Sequence, residues 1–260
     1  MTTDVFTLHQ GTAPLFVSLP HDGTELPEDI AARMTDGARR VPDTDWHVSR
    51  LYAFARELGA SMIVPKFSRY VVDLNRPPDD ESLYPGQNTT GLCPLVQFSS
   101  EPIYQQGQDP TKREITARLK KYWHPYHAAL AEEMARIKAR HGRVVLWEGH
   151  SIRSEVPFLF DGRLPDFNLG TAGGASCSGG LQRKLVHLLE AQKNYSFVAN
   201  GRFKGGYITR NYGKPIDGID AIQLELVQCN YMNEETFEYD ETKAKHAQTL
   251  IQGLLEVAIA

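Results

Sequence analysis

The chain has 260 residues, of which 41% are hydrophobic and 23% are charged, and its formal net charge at neutral pH is -4. This composition is typical of a folded protein with a large core, and it argues against intrinsic disorder. The small net charge argues against a basic face for nucleic acid or anionic membranes. No apolar run approaches the length needed to span a bilayer, and the start does not resemble a secretory signal, so we expect a cytoplasmic protein.

Strands and helices alternate in the first half of the chain. Residues 15–20 form an apolar run that ends at a proline, which predicts a short buried strand. Apolar side chains recur at helical spacing over residues 45–58, and a second strand is predicted over 61–65. A third strand is predicted around 70–73, and a polar loop rich in Gly and Pro, a candidate lid, then extends to about residue 100.

The second half of the chain continues this alternation. The predicted elements, in order, are a helix over 110–140, a strand over 143–147, an irregular stretch over 156–180, a helix over 181–193, strands over 196–199, 206–210 and 221–227, and a terminal helix from about 240. Such a pattern implies a single α/β domain covering residues 1–260, with a mainly parallel, mixed sheet and helices on both faces.

Four residues are predicted at the carboxyl ends of the strands, where ligands collect in open parallel sheets. His21 follows the first strand, Asp45 begins the helix after it, His150 follows the strand over 143–147, and Glu225 lies in the last strand. Two histidines with one carboxylate meet the requirements of a catalytic zinc, which has three N/O ligands and an open position. We therefore expect a Zn²⁺ site formed by His21, Asp45 and His150.

Parts of this interpretation leave alternatives open. Asp43 and Glu25 compete with Asp45 as the third ligand, because an acidic residue at a helix start is often only a cap. Imidazole and carboxylate ligands also accept cobalt, nickel or iron. Glu225 is flanked by apolar residues in its strand, and a buried carboxylate needs a partner, so it suits the role of general base.

Three arginines lie in or beside the same predicted loops. Arg76, Arg153 and Arg210 could each bind a substrate carboxylate through two parallel hydrogen bonds, and Asn75 precedes the first of them. The alternative for each arginine is a solvated surface position. These residues favour a small anionic substrate.

Other catalytic classes have little support in the sequence. There is no Gly-x-Ser-x-Gly elbow, and the three cysteines are widely spaced, without a Cys-x-x-Cys pair or an evident histidine partner. The glycine-rich stretch 170–176 matches neither a P-loop nor a dinucleotide fingerprint. His124 and His127 are three residues apart in a predicted helix, but the proline and aromatic residues around them favour packing over metal binding.

Taken together, these segments resemble the N-formylglutamate amidohydrolase (N-formylglutamate deformylase) family. The resemblance covers most of the chain in order, so it is far more specific than any one motif. The matching stretches are SLPHDGTELP (18–27), DTDWHVSRLY (43–52), YVVDLNRP (70–77), EGHSIRSEVPFLFDGRLPDFNLGT (148–171), GGYITRNYG (205–213) and LELVQCNYM (224–232).

The resemblance implies hydrolysis of N-formyl-L-glutamate to formate and L-glutamate, in a branch of histidine breakdown. It also implies a fold like that of zinc carboxypeptidases and phosphorylase-hydrolase-like proteins. Carried over by residue, it implies metal ligands at His21, His150 and Asp45, and a catalytic base at Glu225. For the two carboxylates of this substrate, we expect Arg76 with Asn75 to bind one and Arg210 or Arg153 to bind the other. Carboxypeptidases place the acid ligand three residues after the first histidine, whereas this chain has Thr24 there.

Two rival functions remain open on the sequence alone. One is a metal amidase for another N-acyl amino acid or a peptide. The other is a non-catalytic protein that binds acidic amino acids through Arg76, Arg153 and Arg210, without a role for the histidines. The sequence does not indicate whether the protein is a monomer or an oligomer.

Overall fold

The computed structural model describes residues 4–260, and its centre is one mixed sheet of seven strands. The strand order is β1-β3-β2-β4-β7-β5-β6, in which β1 with β3 and β5 with β7 are the antiparallel pairs. The strands are β1 (Phe6–His9), β2 (Leu15–Ser18), β3 (Ser61–Pro65), β4 (Val144–Ile152), β5 (Phe167–Gly170), β6 (Phe197–Ala199) and β7 (Ile219–Val227).

Helices of varied length connect these strands. None of the helices found over residues 4–260 is both long enough and apolar enough to cross a membrane. The α-helices are α1 (Glu28–Ala31), α2 (Asp36–Arg39), α3 (Val48–Leu51), α4 (Lys112–Arg118), α5 (His124–His141), α6 (Gly179–Ala191), α7 (Tyr207–Tyr212) and α8 (Glu241–Ile259). Shorter helical turns are the 3₁₀ segments Ala53–Arg56, Ala172–Gly174, Pro215–Asp217 and Gln228–Asn230, and a π-helix, Leu119–Trp123, joins α4 to α5.

Local signals explain where the long helices begin and end. Thr111 and Glu114 form a capping box at the start of α4, because each side chain satisfies a backbone N–H of the other. Gly142 ends α5 in the left-handed conformation, which glycine adopts without steric cost. Asp240 accepts hydrogen bonds from the first N–H groups of α8.

The sheet separates two hydrophobic cores. Side chains alternate along β4, so Leu146 packs in the core on one face with α5, whereas Trp147 packs in the core on the other face with α6 and α8. All nine residues of β4 are buried, as expected for a central strand that pairs in parallel with β2 and β7. The predicted mixed α/β sheet with helices on both faces is confirmed.

Two predicted strands are wrong. Residues 70–73 form a buried turn rather than a strand, because their backbone bonds within the loop and to Leu92 instead of to a sheet. Residues 206–210 belong mostly to α7, whose Ile208 and Thr209 N–H groups bond to side chains of Asn75 and Glu148. These distant partners satisfy the open N–H groups of a short helix, which local sequence patterns cannot indicate.

Two further strands were not predicted. β1 is a short edge strand, and β5 lies inside the stretch 156–180 that the sequence presents as irregular. Their positions matter for the site, because β5 pairs antiparallel with β7 and completes the sheet beside Glu225.

Candidate metal and catalytic site

Three side chains predicted as metal ligands meet at the carboxyl ends of β2 and β4. His21 follows β2, His150 lies in β4, and Asp45 lies in the loop before α3. One ligand atom from each residue lies within 4.8 Å of the others, and all three residues are buried. The Asp45 Oδ2 atom is 2.9 Å from His150 Nδ1 and 3.8 Å from His21 Nδ1. This group could hold a metal ion.

A second carboxylate binds the other nitrogen of each histidine. Asp73 Oδ1 lies 2.7 Å from His21 Nε2, and Glu148 Oε1 lies 2.8 Å from His150 Nε2. A carboxylate that accepts the Nε2 hydrogen fixes the ring orientation and leaves Nδ1 free to bind a cation. Both Nδ1 atoms face Asp45, so the donors fit a site of two imidazoles and one carboxylate.

The surroundings of the two imidazoles differ in charge. Burial and the nearby Arg69 guanidinium lower the pKa of His21. Burial also opposes protonation of His150, but hydrogen bonds to Asp45 and Glu148 outweigh it and raise the pKa of His150 well above its usual value. A cation at this site would therefore replace a proton on His150, as is common for metal binding to histidine.

Arg69 and His21 balance the charge of Asp73. Burial opposes ionisation of this carboxyl, but His21 and Arg69 lower the pKa of Asp73 well below its ordinary value. Arg69 donates to Asp73 Oδ2 at 2.7 Å. Asp73 is thus an anion that orients the His21 ring.

Glu225 lies directly opposite His150 in the parallel pairing of β4 and β7. Glu225 is 6% exposed and lines the same pocket as the histidines. Within residues 4–260, no group donates a hydrogen bond to its carboxylate. Burial raises the pKa of Glu225 to about 8, although His150 acts in the opposite direction. A carboxyl group with such a pKa can both accept and release a proton near neutral pH.

A pocket opens beside these residues, and its walls differ in polarity. The apolar wall belongs to a small hydrophobic cluster around Ile152 and Val156. The polar wall carries cationic and hydrogen-bonding groups. The apolar lining residues are Phe98, Ile152, Leu159 and Phe203. Besides His21, Asp45 and His150, the polar lining residues include Arg69, Asn75, Arg76, Thr89, Thr90 and Arg202.

The predicted arginines separate into two groups in the structure. Arg76 lines the pocket, and its Nε atom is buried without a hydrogen-bond partner among the described residues. Arg210 is exposed and packs over the Tyr84 ring at 5.1 Å, and Arg153 lines a different cavity. The structure therefore does not place Arg153 or Arg210 in the pocket with Glu225, contrary to the prediction.

Asn75 joins the pocket to α7. Its Oδ1 atom accepts a hydrogen bond from the Ile208 N–H at 2.9 Å, and its Nδ2 atom lies 3.0 Å from His150 Nε2. A Cβ atom on Gly206 would lie only 2.3 Å from Asn75 Nδ2, so the close approach requires glycine at this position. Asn75 is thus placed by α7 and held against the His150 ring.

The other candidates for the third ligand lie apart from the histidines. Asp43 accepts hydrogen bonds from the Tyr70 hydroxyl at 2.5 Å and from the Phe98 N–H at 2.8 Å. Glu25 is exposed. Asp45 is therefore the only one of the three that the structure groups with His21 and His150.

The sequence interpretation did not identify Arg69, Asp73, Glu148 or Arg202 as site residues. Asp73 and Glu148 each interrupt an apolar run, and a charged residue inside such a run was a usable signal. Glu148 is also two residues before His150, so both side chains lie on one face of β4. Arg202 lies in a polar loop without any comparable signal.

Comparisons with known proteins point to one family. Residues 13–232 match the family model described as N-formylglutamate amidohydrolase. The N-formylglutamate deformylase of Pseudomonas aeruginosa is 50% identical over 258 residues, which are 99% of this chain and 97% of the relative. The N-formylglutamate deformylase of Pseudomonas putida is 48% identical over 257 residues, covering 98% and 96% of the two chains.

Two solved structures have the same fold. The N-formylglutamate amidohydrolase of Ralstonia eutropha superposes with a TM-score of 0.83 at 26% identity, covering 98% of this chain and 99% of that one. A protein of Agrobacterium tumefaciens superposes with a TM-score of 0.73 over 98% and 96% of the chains. Its identity is 19%, so this second likeness concerns the fold alone.

Proposed function

The chain belongs to the N-formylglutamate amidohydrolase family, and from this premise we propose that its pocket uses a divalent cation, held by His21, Asp45 and His150, to cleave an amide. The reaction is hydrolysis of N-formyl-L-glutamate to formate and L-glutamate, the activity for which relatives about half identical over nearly the whole chain are named. The observation that carries the cation proposal is the meeting of two imidazoles and one carboxylate beside an acidic residue with a raised pKa.

Zn²⁺ is the cation we propose, with another divalent transition metal as the alternative. Two histidine nitrogens and a carboxylate oxygen are a common ligand set for catalytic zinc, and they leave a coordination position open. Carboxylates on both Nε2 atoms support this assignment, because histidines that bind metals nearly always have such partners. When bound, a divalent cation lowers the pKa of water and polarises the formyl oxygen.

Glu225 is proposed as the residue that transfers the proton. Its carboxylate takes a proton from the water that attacks the formyl carbon, and then delivers it to the glutamate nitrogen as the C–N bond breaks. The position opposite His150 and the absence of a hydrogen-bond donor among the described residues support this role. A carboxylate already held by protein donors would be a poorer base.

The two substrate carboxylates require cationic partners, and we propose Arg76 and Arg202 for them. Both side chains line the pocket on its polar wall, with Thr90 beside Arg76. Arg69, by contrast, is occupied by its ion pair with Asp73. Asn75 is bonded to α7, so we propose that it supports the site and leaves contact with the substrate carboxylate to Arg76.

The apolar wall suits the remainder of the substrate. N-formylglutamate has two methylene groups between its carboxylates, and the side chains of Phe98, Leu159 and Phe203 offer an apolar surface for them. An apolar wall also limits water around the amide, which strengthens electrostatic interactions in the pocket.

Several finer assignments stay predictions. We propose that residues 1–260 form one catalytic domain, which the single sheet supports. We also propose a relationship to the zinc-carboxypeptidase fold, because the proposed metal site lies at the carboxyl ends of strands in both. A role in histidine degradation and a location in the cytoplasm are likewise predicted.

The substrate assignment is tested by product release from matched N-acyl glutamates. Purified protein is incubated with N-formyl-, N-acetyl- and N-succinyl-L-glutamate, and formate, acetate, succinate and free glutamate are measured. We expect formate and glutamate from the first compound, at a kcat/KM far above that for the other two. Faster release of acetate or succinate would instead indicate an amidase for another acyl group, and binding of glutamate without hydrolysis would indicate a binding protein.

A further inference from the structure

Asp45 lies in a loop whose backbone is strained on both sides. Val41 has a φ of 44° and His47 has a φ of 63°, so two residues with a side chain occupy the left-handed region within a few positions of Asp45. For a β-branched residue such as Val41 this region is especially unfavourable. Strained conformations persist only where the surrounding structure holds them. The loop around Asp45 therefore needs contacts from elsewhere in the protein.

The residues immediately after β7 supply those contacts. Gln228 Nε2 donates to the carbonyl oxygen of Thr44 at 3.0 Å, and the Tyr231 hydroxyl donates to the carbonyl oxygen of Trp46 at 2.7 Å. Thr44 and Trp46 are the two neighbours of Asp45 in the chain. The carbonyl oxygens of both residues that flank Asp45 are thus held from one segment, and Gln228 and Tyr231 are themselves buried.

Ser151 connects this pair of contacts to the Asp45 carboxylate. Its hydroxyl lies 2.7 Å from the Tyr231 oxygen and 3.4 Å from Gln228 Nε2, and its backbone N–H donates to Asp45 Oδ2 at 3.1 Å. The single hydroxyl hydrogen of Tyr231 is needed by the Trp46 carbonyl, which can only accept. The Ser151 hydroxyl therefore donates to Tyr231 and accepts from Gln228.

We propose that Gln228 and Tyr231 are positioning residues that hold Asp45 where it can bind a cation together with His21 and His150. This inference rests on the proposed cation site. Neither residue is among those that line the pocket, so neither is expected to contact the substrate. Their effect is exerted through the backbone of the two residues that flank Asp45. Partners that bond directly to metal ligands commonly change metal affinity by 10- to 100-fold, so the lower end of that range is expected for these indirect contacts.

The test measures Zn²⁺ affinity of metal-free protein by competition with a chromophoric chelator. The variants are Tyr231→Phe, which removes only the hydroxyl, and Gln228→Met, which replaces the amide with an apolar group of similar length. Tyr104→Phe is the matched control, because Tyr104 is also buried and its hydroxyl bonds to Arg118 and to the Tyr70 carbonyl rather than to the loop that carries Asp45. Thermal unfolding of each metal-free protein is recorded in parallel.

We expect each of the two variants to bind Zn²⁺ about tenfold more weakly than the wild type, with the control unchanged. Metal-free Tyr231→Phe should unfold at a temperature close to that of Tyr104→Phe. Wild-type affinity in either folded variant would overturn the proposal, as would an equal loss in the control. If Tyr231→Phe does not fold, Gln228→Met decides the question. A wild-type protein that binds no divalent cation would refute the cation site itself, which is a separate result.

Discussion

His150 and Glu225 are register partners on the parallel strands β4 and β7, so one interstrand spacing of about 5 Å separates their backbones. A proposed cation ligand and the proposed proton carrier are therefore fixed to two central, fully paired strands. Rigid strands hold catalytic groups in place better than loops do. The remaining ligand, Asp45, comes from a loop and requires the contacts from Gln228 and Tyr231.

Replacing Glu225 with Gln should abolish most turnover while leaving the cation bound. The amide has nearly the same shape but cannot accept a proton from water. A loss of roughly 10²- to 10⁴-fold in kcat is expected for general acid–base catalysis. Formate release and metal content are measured on the same sample. Near-normal turnover in Glu225→Gln would rule out the proton-transfer role.

Replacing Glu148 with Gln should weaken cation binding, because the His150 Nε2 hydrogen loses its carboxylate acceptor. We expect Zn²⁺ affinity to fall by about 10- to 100-fold. Glu133→Gln is the matched control, since Glu133 is a buried glutamate bonded to Ser61 and Arg136, on a helix away from the site. An equal change in both variants would show that the effect is one of general stability.

Arg202→Ala and Arg76→Ala should each impair substrate capture. The loss of a charge-assisted contact corresponds to a decrease in kcat/KM of roughly 10- to 100-fold, mainly through a higher KM. Arg153→Ala is the control, because Arg153 lines a different cavity. Initial rates over a range of N-formyl-L-glutamate concentrations provide the measurement. A larger effect in Arg153→Ala than in Arg202→Ala would restore the original assignment and contradict the present one.

His127 should make the folded protein sensitive to acid. Its ring stacks on Trp123 with centroids 3.7 Å apart, and burial lowers the pKa of His127 from 6.5 to about 4. Between these two pH values the unfolded chain binds more protons than the folded one, so the free energy of unfolding falls as pH falls from about 6.5 to about 4. The pKa difference corresponds to about 3 kcal/mol over that range.

Denaturant unfolding at several pH values measures this dependence. His127→Gln has no titrating ring, so its stability should change less between pH 6.5 and 4 than that of the wild type. His141→Gln is the control, because His141 is exposed. Identical pH profiles for wild type and His127→Gln would contradict the assignment.

The sequence predicted the parts of the site that follow directly from strands. Apolar runs that end in His21 and precede His150, and an acid inside the run around Glu225, are local patterns, so the sequence alone predicts these three residues at strand ends. The alternation of strands and helices likewise predicted the mixed sheet. Asp45 was only one of three options, because a capping acid and a ligand have the same appearance in a sequence.

The residues that the sequence did not identify depend on contacts between distant segments. Asp73 reaches His21 across 52 positions, and Tyr231 reaches Trp46 across 185. The sequence predicts a strand over 206–210 and therefore predicts Arg210 beside the site. The segment instead forms α7, whose start is held by Asn75 and Glu148, and this interaction exists only in the folded chain.

The most direct test of the cation at His21, Asp45 and His150 is a titration of metal-free protein with Zn²⁺, in which formate release is followed after exhaustive chelation. Elemental analysis confirms removal of the metal before the titration. We predict no turnover in the metal-free protein, recovery at about one Zn²⁺ per chain, and no recovery in His150→Ala. Full formate release by protein shown to contain no divalent metal would contradict the account.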